Sequence, residues 1–436
     1  MVFSQHDIAN ENNHGGGLMS RAHLLAGLAL LASAAAAQAG EIRIACYSDG
    51  NECPATLELA KRFMVANPDV KVTIDEMPYK SILESLPVQL AAGQGPDAAR
   101  VTLFGTVMKY MIDLTPYLKN PAYWEASFGA VLPWTRPPGV TTGVYGLPTQ
   151  FTVTSPIVNK TLFDQAGVKL PADGASWDEW AIAVDKVAKA TKTPYGMAFD
   201  RSGHRFAAAA ISMGAKYFAA DGTPAVIDDG FKAMASRFVK WNADNTVEKD
   251  VWASTGGGYR DAFEEFANAK IVMYHSGSWQ LNRLQKQIGD AFEWQVVGNP
   301  CDKVCSGMPG GAAFVAFRDS KNPKDVGRFF DFLADKPIYA EWMAMTNNIP
   351  AQAELQKGGV PYKLSPAATA ALKEFGANAA KVSPTGYQLS GYAQNSAIYN
   401  PTVDRLSQVI AGQMTLDQAY ARITQDVADA VAAAKK

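Results

Sequence analysis

Histidine is scarce in this 436-residue chain. There are 5, and only His204 and His275 lie beyond residue 40. A Ser-His-acid hydrolase would have to be built on one of those two. Neither serine of His275-Ser276-Gly277-Ser278-Trp279 has both flanking glycines of the strained G-x-S-x-G elbow. A phosphate loop is missing as well. The run Thr255-Gly256-Gly257-Gly258 has no following lysine and reads as a solvent loop. The carboxylate pairs Asp228/Asp229 and Glu264/Glu265 are sequence neighbours. Adjacent helical residues diverge, so neither pair can flank a glycosidic bond as a hydrolase acid and nucleophile do. Distant carboxylates that converge in space stay open, and a secreted carbohydrate-active hydrolase or lyase is the alternative reading.

An excess of one charge sign is also lacking. Lys plus Arg number 40 against 42 Asp plus Glu, for a net charge of −2. The signs are intermixed, without the basic stripe that nucleic acid requires. Hydrophobic residues make up 48% and charged residues 19%, as in an ordinary soluble protein. The length exceeds what one core usually organises, so two domains are expected.

The prolonged apolar run, residues 24–37, follows Arg21 and leads to the small-x-small site Ala37-Gln38-Ala39. It is short and Ala-rich for a membrane span, and reads as a secretory signal over residues 1–39, with Gly40 first in the mature chain. Met19 is a candidate true start. No cysteine stands at the cleavage point, so a soluble periplasmic protein without a lipid anchor is expected. The 4 cysteines form two local pairs, Cys46/Cys53 and Cys301/Cys305. In an exported chain such pairs favour two disulfides over buried thiols. A zinc site would need further ligands, and no histidine lies near either pair.

The mature chain opens with strand EIRIACYS, helix ATLELAKRFMVAN, strand VKVTIDEM and helix YKSILESLPVQLAAG. This order predicts an α/β domain with a largely parallel sheet. A second unit begins near YGLPTQFTVTSPIVN. Ser176 to Glu179 forms a capping box for a helix, Asp228-Asp229 caps another, and Asn322-Pro323 opens a third. A helix is expected over YRDAFEEFANA, and the last quarter reads as mostly helical, ending in a helix capped by Thr415 and Gln418. The run KIVMYHSGSWQL, residues 270–281, is a buried strand that stops in a polar cluster around Trp279.

Several stretches, in order, resemble the family 1 extracellular solute-binding proteins of ABC importers, relatives of maltose-binding protein. They are AAGQGPDAARVTLFGTVMKYMIDLTPYL (91–118), GVYGLPTQFTVTSPIVNKTLFDQAGV (143–168), SWDEW (176–180), FANAKIVMYHSGSWQ (266–280), MPGGAAFVAF (308–317) and TNNIPAQ (346–352). Val158 stands where the family usually has tyrosine. The resemblance implies the type II periplasmic binding protein fold: two α/β lobes, each a mixed, mostly parallel sheet flanked by helices, with a ligand cleft between. Lobe 1 would be 40–148 plus about 317–362, and lobe 2 about 149–316 plus 363–436. The implied activity is non-catalytic: capture of a carbohydrate, without cofactor or metal, by a monomer that delivers it to ABC permease subunits. A ligand sensor for a membrane receptor is a further alternative.

The resemblance also suggests site residues. Trp279 would stack on a sugar ring, with Gly277 letting backbone approach the ligand. Ser48, Asp49, Asn51 and Glu52 follow the first strand, where α/β sites gather. Thr102 and Phe104 follow the turn at Pro96-Asp97, and Gln150 and Thr152 sit in the crossing strand. In FDRSGHRF, Asp200, Arg201, His204 and Arg205 replace the family's acidic and aromatic contacts. The two arginines suggest an anionic sugar derivative as one option. Gly310 and Gly311 would bring backbone to the cleft, and Tyr392 and Asn395 would add a last aromatic and polar contact.

Overall fold

The computed structural model describes residues 40–253 and 258–434. The signal-peptide reading and most of the glycine run therefore lie outside the described residues. Among the described residues there are eight strands: β1 Gly40–Cys46, β2 Val70–Glu76, β3 Ala98–Val101, β4 Gly146–Asn159, β5 Tyr195–Phe199, β6 Ile271–Gly277, β7 Trp294–Val296 and β8 Pro309–Ala316. Their spatial order is β2-β1-β3-β8-β4-β6-β5, with β7 also on β4.

The sheet is mixed, and its two kinds of pairing are segregated. β1 pairs in parallel with β2 and β3, and β5 with β6. The antiparallel pairs, β3–β8, β4–β8, β4–β6 and β4–β7, run through the middle. There β4 changes partner: residues up to Val153 pair with β8, and Thr154 onward pairs with β6. All 14 of its residues are buried.

Two cores lie either side of this exchange. One packs Ile42, Ile44 and Phe314 of the sheet against Leu59 and Phe63 of helix Glu52–Ala66 and Phe329 and Phe330 of helix Pro323–Ala334. A smaller layer on the sheet's other face holds Ala45, Tyr47, Leu86 and Phe104. The other core joins Val153 and Ile157 of β4 to Trp177, Phe199, Phe206, Phe238 and Trp252, and to Leu406 and Ile423 of the C-terminal helices.

Local signals explain most element ends. Ser176 and Glu179 exchange both bonds of a capping box. Asp228 accepts from the Phe231 amide at 2.9 Å, and Thr415 with Gln418 caps the last helix, Leu416–Ala434. Asn322 precedes its helix without capping it; its amide donates to the Glu41 carbonyl at 2.8 Å instead. The expected helix after β2 is broken into Tyr79–Glu84 and Leu86–Ala91, because Pro87 has no N–H to continue the ladder. The helix expected from residue 259 is confined to Phe263–Ala267. Both cysteine pairs are disulfides, Cys46–Cys53 and Cys301–Cys305.

Candidate functional site

A cavity of about 390 Å³ opens between the two cores, within the range of small-molecule sites, about 300–1,000 Å³. The first wall comes from the carboxyl ends of β1, β2 and β3. The opposite wall comes from β4, β8 and the segments after β5 and β6.

The loop after β1 divides its labour. Asp49 lines the cavity, and its carboxyl is pushed up to about 7, first by burial and then by the nearby Glu52 charge. Glu52 does not face the cavity. One of its oxygens accepts from the amides of Asp49 and Gly50, both at 2.9 Å, and the other from Asn348 at 3.3 Å. It holds the turn, as an N-terminal carboxylate can. Ser48 accepts from the Cys53 amide at 3.1 Å and lines a second, outer hollow with Lys80, Arg260, Asp261 and Arg283. Asn51 reaches the other side of the cleft: its oxygen accepts from Asn282 at 3.0 Å, and its own amide donates to the Met345 carbonyl at 3.0 Å. Beneath the loop lies Arg100, with no exposed side-chain surface. Its guanidinium stacks 4.1 Å from the Tyr47 ring and donates to the Tyr47 carbonyl at 2.9 Å.

Thr102 and Phe104 line the cavity as expected, and Thr102 shares a 2.6 Å hydrogen bond with Tyr79. Tyr79 in turn meets Tyr259 of the opposite wall edge to face, with ring centroids 5.1 Å apart. These two tyrosines and Asp49 separate the cavity from the outer hollow and line both. Gln150 and Thr152 lie on one face of β4 and reach the cavity. Gln150 is 4% exposed and its Oε1 accepts no hydrogen bond. Gly310 and Gly311 line it too. A Cβ at Gly310 would stand 2.9 Å from the Thr152 hydroxyl and 3.4 Å from His204, so this glycine makes room for neighbouring side chains.

Around Arg205 the structure differs from expectation. Asp200 is fully buried under the wall and does not line the cavity. It accepts from Tyr274 at 2.6 Å, Ser276 at 2.8 Å, Arg205 at 3.0 Å and the Ala262 amide at 3.2 Å. Burial pushes its carboxyl up, while Arg205 and the hydroxyls oppose the shift. Burial also works against the Arg205 charge, but Asp200 and Tyr259 outweigh it and raise the guanidinium above its ordinary range. Arg205 donates to Nδ1 of His204 at 3.1 Å, and Nε2 of His204 lies 3.0 Å from the Pro309 carbonyl. His204 is thus a neutral imidazole with its proton on Nε2. Burial and Arg205 hold its pKa down to about 3. Arg201 lines the cavity, but its guanidinium is engaged by the Gly258 carbonyl at 2.6 Å and by Ser407 at 3.3 Å.

Trp279 lines the cavity, yet it is only 6% exposed. The Arg205 guanidinium lies 4.0 Å from its ring centroid, a cation–π contact. A Cβ at Gly277 would come within 2.1 Å of the same ring. Gly277 therefore accommodates Trp279 itself, which corrects the expectation that it makes room for a ligand. His275 is fully buried between Trp177 and Phe199, and burial holds it neutral at about 3. Asn395 lines the cavity. Tyr392 does not: its ring packs against Phe218 at 5.3 Å. The aromatic of that region in the cavity is Tyr399, one helical turn beyond Asn395.

Tyr79, Trp134, Tyr259 and Tyr399 are cavity residues that sequence reasoning did not single out. Tyr79 had a usable signal, since it follows the carboxyl end of β2. Trp134 and Tyr399 sit in helical stretches indistinguishable locally from core.

A cleft between two α/β cores, walled by aromatic rings and polar groups, is the kind of site that holds a small polar molecule. Residues 49–340 match the model of the bacterial extracellular solute-binding protein family, and the chain belongs to that family. A binding protein of Brucella abortus is 26% identical over 350 residues, spanning 77% of this chain and 82% of the relative. The multiple sugar-binding protein of Streptococcus mutans is 25% identical over 313 residues, 67% of this chain and 71% of the relative. An ABC substrate-binding protein of Listeria monocytogenes, solved with cycloalternan, superposes with TM-score 0.72 at 20% identity, covering 90% of this chain and 98% of that one. An ABC transporter solute-binding protein of Thermotoga lettingae, bound to α-D-tagatose, gives TM-score 0.72 at 17% identity, covering 90% and 99%. The type II periplasmic binding fold is therefore established for this chain.

Proposed function

We propose that the protein captures a carbohydrate in the cleft and presents it to the membrane permease of an ABC importer, as a periplasmic monomer that makes and breaks no covalent bond. The observation that carries this reading is the composition of the cavity wall. Flat rings from Tyr79, Trp134, Tyr259 and Tyr399 alternate with polar groups, among them the buried, unpaired Oε1 of Gln150. A pyranose has an apolar face for such rings and hydroxyls for such acceptors. An unpaired buried amide costs about 1–3 kcal/mol, which a solute hydroxyl would recover. The names of the Streptococcus relative and the solutes of the Listeria and Thermotoga proteins support the same class.

In this reading the lobes are 40–148 with about 317–362, and about 149–316 with 363–436, and β4 and β8 carry the chain from one to the other. Cross-cleft contacts such as Asn51–Asn282 and Tyr79–Tyr259 belong to the closed form, which a bound solute favours by touching both sides. A neutral saccharide is supported over an anionic one, because Arg201 and Arg205 each commit Nε and one Nη to protein partners.

The test is thermal unfolding of the purified protein against mono- to tetrasaccharides, neutral and acidic, with recovery of the sugar by NMR. A solute at a thousand times its Kd adds about 4 kcal/mol of stability. A neutral sugar that raises the melting temperature and is recovered intact supports the proposal. A sugar that is cleaved supports a hydrolase or lyase instead.

A further inference from the structure

Asp49 stands in the cavity wall with its side chain 22% exposed, and its carboxylate accepts no hydrogen bond among the described residues. The nearest cation, Arg100, is 3.6 Å away, and its guanidinium is shared with Glu52 at 3.7 Å. Two carboxylates thus divide one buried arginine. Glu52 is satisfied by three N–H donors; Asp49 is not. Tyr47 and Tyr79, Arg205 of the opposite wall and Asp261 beyond the tyrosine pair are the other titratable or charged groups acting on Asp49. Elsewhere in the same cavity, Gln150 Oε1 is a buried acceptor without a donor.

We propose that Asp49 is a specificity-determining residue: it selects solutes that bring a hydroxyl or ammonium donor to this corner of the cleft and refuses those that bring a carboxylate or phosphate there. This rests on the solute-binding reading above and narrows it. A donor on the solute completes the coordination of the carboxylate, and a charge-assisted bond is roughly twice as strong as a neutral one. An anion placed there meets a second negative charge at a partly buried carboxylate, where repulsion is screened less than at an open surface. The position of Asp49 also makes capture proton-linked. Closing the empty cleft favours the neutral acid, while a donor bonded to the carboxylate favours the ionised form. Solute that fills the closed cleft then displaces that proton, and affinity rises with pH. The two histidines of the described residues do not titrate in this range, both being held near 3.

The experiment is isothermal calorimetry at pH 5.5 and pH 8 with neutral saccharides of one to four rings, their uronate counterparts and D-glucosamine, on the wild type and on Asp49→Asn. With the carboxyl raised by burial in the empty cleft, the wild type should bind its best neutral sugar several-fold tighter at pH 8 than at pH 5.5. Asp49→Asn should bind with the same affinity at both pH values, and uronates should bind the variant better than the wild type. D-glucosamine binding tighter than D-glucose would assign the donor as an ammonium; the reverse order would assign a hydroxyl. A variant that keeps the wild-type pH dependence, or a wild type that binds uronate as well as the neutral sugar, overturns this inference alone. A protein that binds no member of the panel at either pH loses the inference together with the reading beneath it.

Discussion

Asn282 and Asn51 hold the two sides of the cleft together by one side-chain hydrogen bond of 3.0 Å. Asn282 belongs to the segment after β6, and Asn51 to the loop after β1. A Cβ at neighbouring Gly50 would come 2.8 Å from Asn282 Cβ, so the backbone here approaches as closely as the side chains allow. A net contribution of about 0.5–1.5 kcal/mol is ordinary for such a bond. Asn282→Ala should weaken solute binding about two- to tenfold by calorimetry, with little change in the melting temperature of the solute-free protein.

Arg205→Ala should be far more damaging. It leaves Asp200 buried with no cation against it, a loss of about 3–5 kcal/mol, readable as a lower denaturation midpoint. Arg205→Lys should recover part of the loss only, since an ammonium cannot donate to Asp200 and His204 in the fixed geometry of the guanidinium.

Gly277→Ala tests the seating of Trp279. The new methyl would stand 2.1 Å from the indole and 2.6 Å from the Val153 carbonyl. The ring must leave its place, at a cost of about 1–3 kcal/mol for overpacking. The expected signature is a red-shifted tryptophan emission together with weaker solute binding.

Reduction of Cys46–Cys53, or the paired serine substitution, should lower stability by about 2–3 kcal/mol on the chain-entropy account of so short a loop. The same change should weaken binding, because Asp49 lies within the bridged loop.

Glu248 gives a pH prediction away from the cleft. Its carboxyl is buried and pushed up to about 7, first by burial and then by Glu265. A carboxyl raised in the folded state contributes stability that is fully present below its unfolded value, about 4.3, and is lost as pH rises through about 7. Glu248→Gln should therefore raise the melting temperature at pH 8 and change it little at pH 5.

The strands and most helix ends were legible because their causes are local: alternation in β1 and β2, the Ser176 capping box and the Asp228 cap. The break at Pro87 was equally local and was passed over. Within the site, strand-end position and resemblance located Asp49, Thr102, Gln150, Thr152 and Trp279 on the cavity. They did not separate Asp49 from Glu52, three residues away, because which carboxylate faces inward depends on Arg100 and Asn348, which are distant in sequence. Asp200 was misplaced for the same reason: its partners Tyr274 and Ser276 arrive from a different strand. Tyr259 and Tyr399 gain their role only when two cores are assembled around a gap, and no window of neighbouring residues carries that information.

β4 has no solvent-facing side over its 14 residues, so the usual alternation of wet and dry positions cannot fix how it slides against β8. An irregularity does so instead. Between Pro148, opposite Ala313, and Gln150, opposite Ala312, the register gains one residue at Thr149, whose hydroxyl clasps the Ala312 carbonyl at 3.0 Å. That extra residue works as a vernier stop: it reverses the parity of everything downstream, and so decides that Gln150 and Thr152 look into the solute chamber while Phe151 and Val153 turn toward the packed interior.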